Sequence, residues 1–316
     1  MPPDDAGPGR TSSRRSDGMD TRERNNHLIT RRQALRLLAA LGAGTFVKPA
    51  AVWGAAPVAD RLRFAVLGDW GTGGDEQRRV LEQMLVAHDA KPLDFVIGAG
   101  DNIYPNGSGR LFIEKFERPF APLLRARVPF YTVLGNHDVQ AGRRDQCEYP
   151  PFNMGRRCYY SFRPAGNLAE FLMLDSTDFS REQAAWLEGA LRASSARWKV
   201  AVFHHPIYSS GRRHGSDLRL RRELEPLLVR YGVAAAFSGH DHIYERTKPQ
   251  QGVQYFVSGA AGELRRGDTD LKSELRAASF DQDNHFMLVD LEDRQIGFQA
   301  ICQTGNVVDR GAIKQA

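Results

Sequence analysis

Phe95-Val96-Ile97-Gly98-Ala99-Gly100-Asp101-Asn102-Ile103-Tyr104 is the stretch that decides the fold class. Its first five residues are an uninterrupted apolar run, which is how a strand buried on both faces reads. The run stops at Gly-Asp, so a carboxylate lands at the carboxyl edge of a sheet, where α/β proteins keep their ligand sites. Tyr104 follows three residues later, within one tight turn of that carboxylate. A single Gly-Asp after a strand is ordinarily just a turn. It gains meaning because four other predicted strands end on residues of the same kind.

Outward from this stretch, the chain alternates strand and helix. Leu62–Leu67 reads as a strand running into Gly68-Asp69-Trp70-Gly71, and 75–88 as an amphipathic helix. Asp94–Ala99 is the strand quoted above. A helix follows over 111–124, interrupted at Pro119 and Pro122. Pro129–Leu134 is a strand ending in Gly135-Asn136-His137-Asp138, followed by a long loop over 139–158. Strands over 159–162 and 170–174 pair, 181–191 is helical, and 198–203 is a strand leading into His204-His205. A charged amphipathic helix over 217–231 precedes a buried strand, 233–237, that ends in Ser238-Gly239-His240-Asp241-His242. The tail supplies strands over 253–257, 286–291 and 296–301, expected in an outer antiparallel sheet. No repeat and no linker divides the body, which predicts one mixed α/β domain over residues 60–316.

The 316 residues carry a formal charge of +5, but residues 1–60 hold nine Lys/Arg against six Asp/Glu. The body is therefore close to neutral and shows no nucleic-acid footprint. Residues 1–59 read as a targeting segment with a polar extension, Met19 being an alternative start. Thr30-Arg31-Arg32-Gln33-Ala34-Leu35 precedes a short apolar run, 37–47, then small residues up to Ala59. A paired arginine with this layout is a signal peptide of the twin-arginine type, cleaved between 51 and 59. The apolar run is too short for a stable membrane span. The expected location is periplasmic or secreted, in a bacterium, with the twin-arginine machinery as a partner. Of three cysteines, Cys147 and Cys158 bracket a loop and are able to pair in an oxidising compartment, while Cys302 sits in an apolar strand.

Collected from the strand ends, Asp69, Asp101, Tyr104, Asn136, His204, His240 and His242 are all oxygen or imidazole donors, a set that suits hard or borderline metals. On an extended segment His240 and His242 share a face, roughly 6–7 Å apart at the backbone. That spacing suits two neighbouring metals about 3.5–4 Å apart, as in two-metal hydrolases. Six of the nine histidines fall in or just after these motifs. Asp241, pointing the other way, reads as structural. So do Trp70, as packing, and His285, near a turn; His88 reads as solvated and His205 as a wall residue. Arg212 and Arg213 lie in a loop able either to attract anions or simply to be solvated.

The series Gly68-Asp69-Trp70-Gly71, Gly100-Asp101-Asn102-Ile103-Tyr104, Gly135-Asn136-His137-Asp138, Ala201-Val202-Phe203-His204 and Gly239-His240-Asp241-His242 resembles the five blocks of the purple acid phosphatases. The likeness runs from about Arg61 to Ile301 and is nearest to the small, tartrate-resistant type. It implies the calcineurin-like metallophosphoesterase fold, a four-layer α/β/β/α sandwich in a single catalytic domain. Two departures stand out: Ala201 replaces the usual valine, and the stretch between Asp175 and Arg181 is too short for the mammalian inhibitory loop.

By the resemblance, Asp69, Tyr104 and His242 hold a ferric ion. Asn136, His204 and His240 hold a divalent ion (iron, zinc or manganese), and Asp101 bridges the two. Gly71 and Tyr104 distinguish this group from other calcineurin-like enzymes, which usually have histidine at the first position and lack the tyrosine. His137 and His214 match the family's non-ligand catalytic histidines, His214 with one residue of slack. The implied reaction is attack of metal-activated hydroxide on a small phosphate monoester, by a monomer. A phosphodiesterase with the same ions and a phosphate-binding protein without catalysis are the competing readings.

Overall fold

In the computed structural model the described residues are 60–315, so the expected targeting segment lies outside them. Among these residues thirteen strands form two sheets. They are β1 (Arg61–Leu67), β2 (Phe95–Gly98), β3 (Phe130–Thr132), β4 (Tyr160–Phe162), β5 (Ala169–Met173), β6 (Trp198–Val202), β7 (Ala235–Ser238), β8 (Tyr244–Thr247), β9 (Gln254–Ser258), β10 (Arg276–Phe280), β11 (His285–Glu292), β12 (Gln295–Cys302) and β13 (Val307–Lys314). The first sheet has the order β13-β12-β11-β1-β2-β3 and the second β10-β8-β9-β7-β6-β5-β4. Strands β1, β2 and β3 run parallel, as do β5, β6, β7 and β9.

Alternation along the strands makes the layers. On β6, Val200 and Val202 face the core shared by the two sheets, while Ala201 faces a second core beneath two helices. Those helices are α5 (Arg181–Ala193) and α6 (Leu218–Arg230). Leu220, Leu224 and Leu228 recur every four residues along the buried face of α6. Both helices start on side-chain caps: Ser180 Oγ accepts from Gln183 N, and Asp217 from Leu220 N. Between the sheets, Phe64 stacks on Phe95 at 4.9 Å and meets Phe171 edge-on at 5.3 Å. Helix α1 (Asp75–Ala90) packs on β11 and β12, the outer face of the first sheet. The order helix, sheet, sheet, helix is the four-layer sandwich.

Several expectations change. The loop over 139–158 contains two short helices, α3 (Asp138–Ala141) and α4 (Arg143–Glu148), because Asp138 and Gln146 anchor it to the buried strand ends. The helix over 111–124 breaks into a 3-10 turn, a π segment (Ile113–Glu117) and α2 (Ala121–Arg125), Pro122 opening the last. The 253–257 strand is not in an outer sheet: β9 lies inside the second sheet, parallel to β7 and wholly buried. Strands β8 and β13 carry too many charges to read as strands, and β10, Arg-Ala-Ala-Ser-Phe, has no alternation of bulky apolar residues to announce it. Arg246 on β8, for example, reaches across to Asp309 on β13 at 2.7 Å. Among the described residues no helix is long and apolar enough to cross a membrane.

Candidate dinuclear metal centre

The parallel strands of both sheets end at one place. Asp69 follows β1, Asp101 follows β2, Asn136 follows β3, His204 follows β6, and His240 and His242 follow β7. Backbone bonds stitch these ends together: Asp69 N donates to Gly100 O at 3.0 Å, Trp70 N to Asp101 O at 3.3 Å and Gly239 N to His204 O at 3.0 Å. Such close approach leaves no space for side chains at two positions. A Cβ on Gly71 would sit 1.7 Å from Asn102 O, and one on Gly135 2.2 Å from Asp101 Oδ1. Three of the strand-end residues, Asp69, Asp101 and His240, have positive φ (56°, 49° and 69°). Backbone of this kind is held only where surrounding bonds over-determine it, and it concentrates at functional sites.

Each aspartate divides its labour. Asp69 Oδ2 accepts from His240 N at 2.8 Å, and Asp101 Oδ1 from His137 N at 2.8 Å. The other oxygens face inward. Tyr104 hydroxyl lies 3.2 Å from Asp69 Oδ1, 3.1 Å from Asp101 Oδ2 and 3.4 Å from His242 Nε2. On the other side of Asp101 Oδ2, His204 Nε2 stands at 3.5 Å and also 3.1 Å from Asn136 Oδ1. His204 Nδ1 lies 2.9 Å from the Ala99 carbonyl, which fixes its proton there and turns the Nε2 lone pair inward. His240 packs 5.1 Å from His204, centroid to centroid. The seven expected donors therefore converge, with Asp101 between the two groups.

This arrangement is rich in acceptors and poor in hydrogens. Two buried carboxylates face one phenol, and burial with the Asp69 and Asp101 charges pushes the Tyr104 pKa far up. Burial acts to lower His204, but with no cation bound Asp101 and Asp69 outweigh it and bring the pKa up to about 10, so an ion at Nε2 takes the place of a proton. In return Asp101, which burial would raise, is held below the usual carboxylate range by His204 and the His137 N–H. The centre draws positive charge. Burial, then His204, His205 and His214, keep His240 neutral, its lone pair free for an ion. The chemistry of the donors thus fits a pair of cations, with carboxylate and phenol for a hard ion and amide and imidazole for a borderline one.

The two expected catalytic histidines reach the same cleft. His137 packs 4.6 Å from the Tyr104 ring, with Nδ1 2.6 Å from Pro105 O. His214 packs against His240, tilted by 39° with the ring centroids 4.2 Å apart. His205, read from sequence as a wall residue, stands at the site: it is 4.5 Å from His240, and one nitrogen each of His204, His205 and His240 lie within 4.8 Å of one another. Its position directly after His204 was the only sequence cue. Ser176, which anchors His205, had no cue at all. His88 is not simply solvated either; its Nδ1 accepts from Leu93 N at 3.2 Å.

Beneath the centre, Asp138 is fully buried. It accepts from the backbone N–H of Asn102, Ile103 and Gly135 and from Asn102 Nδ2 and Gln146 Nε2. Trp70 Nε1 donates to Asn102 Oδ1 at 3.2 Å, and its ring is walled by Phe116, Phe120 and Phe152. Trp70 is packing, as expected, and also a strut for the Asp101 loop. Cys147 Sγ and Cys158 Sγ lie side by side, 2.6 Å apart.

A two-sheet α/β sandwich with such a centre at its strand ends is the architecture of a dinuclear metallophosphoesterase, and residues 62–244 match the calcineurin-like phosphoesterase family. Purple acid phosphatase 17 of Arabidopsis thaliana is 32% identical over 238 residues, 66% of this chain and 70% of the plant protein. Tartrate-resistant acid phosphatase type 5 of Mus musculus is 30% identical over 249 residues, 67% of this chain and 76% of the mouse protein. Among solved structures, purple acid phosphatase PPD1 from yellow lupin (Lupinus luteus) seeds superposes with a TM-score of 0.69 at 20% identity. It aligns over 81% of this chain and 54% of the lupin chain. GAP50, the anchor in the inner membrane complex of Plasmodium, gives 0.70 at 22% identity over 82% and 90%, a likeness of fold. The chain belongs to the calcineurin-like phosphoesterases and, within them, to the purple acid phosphatases. The activity that goes with this membership is acid phosphatase chemistry at a dinuclear metal centre.

Proposed function

We propose that Asp69, Tyr104 and His242 hold a ferric ion, that Asn136, His204 and His240 hold a divalent iron, zinc or manganese ion, and that Asp101 serves both. The observation that carries this is the Tyr104 hydroxyl, 3.1–3.4 Å from Asp101, Asp69 and His242. A cation pair at this place supplies positive charge that polarises a phosphoryl oxygen and lowers the pKa of a water molecule. The chain's own part is to orient and to move protons. His137, its backbone tied to Asp101 and its Nδ1 to Pro105 O, is set to contact the phosphoryl group or protonate the leaving alcohol. His214, beside His240, shapes the opposite wall. The substrate is a small phosphate monoester, and a preference for monoester over diester is favoured by Gly71 and Tyr104 at the two positions that set this group apart.

Residues 1–59 act as a twin-arginine signal and 60–316 as the catalytic domain, which works as a monomer in the periplasm or outside the cell. There Cys147 and Cys158 pair. Elemental analysis of purified protein with its visible spectrum, and hydrolysis of an aryl monoester against a diester, test the reading. Two metals per chain, one of them iron, a phenolate-to-iron band and faster monoester turnover are expected. A fully loaded, active but colourless enzyme rules out the ferric assignment.

A further inference from the structure

One imidazole of the cleft, His205, has neither a metal nor a proton to handle in the proposed chemistry. We propose that His205 is a hydrogen-bond donor to the phosphoryl group through Nε2–H, and is not a metal ligand, although it stands with His204 and His240 as if in a metal-binding triad. The proposal rests on the dinuclear phosphatase reading and adds to it a residue that contacts substrate.

Three nitrogens surround one oxygen, the hydroxyl of Ser176. Ser176 Oγ accepts the backbone N–H of His204 at 3.1 Å and that of His205 at 3.0 Å. A hydroxyl oxygen has two lone pairs, so both are occupied. The third neighbour of that oxygen is His205 Nδ1 at 2.9 Å. A hydrogen on Nδ1 would meet no free lone pair and would leave the serine O–H without an acceptor. The serine therefore donates and Nδ1 accepts. This excludes the doubly protonated ring along with one of the two neutral tautomers, and the remaining form carries its hydrogen on Nε2.

Neither nitrogen of His205 then offers a lone pair to a cation. His204 differs, because its Nδ1 gives its hydrogen to Ala99 O and keeps Nε2 free. Among the described residues Ser176 is the only side-chain hydrogen-bond partner of the His205 ring. The ring is partly exposed at the cleft, 4.5 Å from His240 and 5.1 Å from His204. An N–H left unpaired there suits an anionic oxygen, and hydrogen bonds to charged acceptors are the strong ones. Ser176 is the positioning residue; it lies three residues past the end of β5 and holds both histidines from one atom.

The test compares His205→Gln, whose amide reaches the place of Nε2, with His205→Asn, whose amide does not, in metal-loaded protein. Metals per chain, affinity for inorganic phosphate by calorimetry, and kcat and KM for an aryl phosphate are measured. Both variants should keep two metals. The asparagine variant should bind phosphate about tenfold more weakly and show a raised KM, while the glutamine variant should stay within about threefold of wild type. Equal affinity in both variants, or loss of one metal from either, overturns the proposal. His205→Phe, which keeps the ring's bulk, should behave as asparagine does if either amide variant fails to fold. Wild-type protein that loads no metal or hydrolyses no monoester defeats the phosphatase reading itself, and the proposal falls with it; that control is read before any variant.

Discussion

Tyr104 and His137 stand side by side yet carry different burdens. A phenol between two carboxylates keeps its proton firmly in the absence of a cation, so its ionisation would report occupancy of the proposed ferric position. Tyr104→Phe should abolish the visible band while leaving the divalent ion bound, as read by absorption spectroscopy with elemental analysis. His137 reaches the cleft from backbone already tied to Asp101. His137→Ala should lower kcat by about a hundredfold or more at unchanged metal content, measured by steady-state hydrolysis of an aryl phosphate. Full turnover with both metals present would remove His137 from catalysis.

At the scale of elements, the loops that carry the candidate donors are not independent. Asp138 opens α3 and ties the Asp101 loop, the Asn136 loop and α4 into one unit through five donors. Asp138→Ala strips the backbone N–H groups of Asn102, Ile103 and Gly135 of their acceptor, while Asn102 Nδ2 keeps Val133 O and Gln146 Nε2 keeps Gly107 O. Leaving a buried donor unpaired costs about 1–3 kcal/mol, and water entering the vacated space recovers part of it. A net loss of roughly 3 kcal/mol in unfolding free energy is expected, by denaturant titration, together with weaker metal retention on dialysis. Unchanged stability would mean that the loops are held by the strand-end backbone bonds alone.

For the whole molecule, an enzyme built for acid carries a buried group that opposes acid. His285 is fully buried against Ser258 and Tyr244, and burial lowers its pKa to about 3. The unfolded chain takes up this proton below pH 6.5 and the folded one does not until about pH 3, so stability is full above the unfolded value and falls as pH drops between the two. At pH 5 the loss is about 2 kcal/mol, a pKa unit being worth 1.36 kcal/mol. Comparing denaturant midpoints at pH 7 and pH 5, His285→Gln should show a smaller drop than wild type. Equal drops would assign the acid sensitivity to other groups.

How much was legible beforehand follows from the same physics. Buried strands announce themselves by continuous apolar runs, and the chemistry at their ends stands out because Asp, Asn and His interrupt those runs abruptly. Helices α5 and α6 and the donor side chains at the strand ends were therefore legible in the chain alone, whereas the layer order came only with the family resemblance. Strand β13, with Asp309 and Arg310, and strand β8, with Glu245 and Arg246, were not, since charges paired across space look like loop when read along the chain. Helices α3 and α4 were missed for a related reason: the acceptor that organises them is Asp138, whose partners lie on three other segments.

By itself the sequence determined which side chains end the strands, and with them the class of chemistry, because side-chain type and strand periodicity are local properties. Only the folded molecule decided that Asp101 stands between the two donor groups, that Ser176 orients His205, and that Cys147 meets Cys158. Each of these depends on a distance between atoms far apart in the chain, and packing of the two sheets sets that distance.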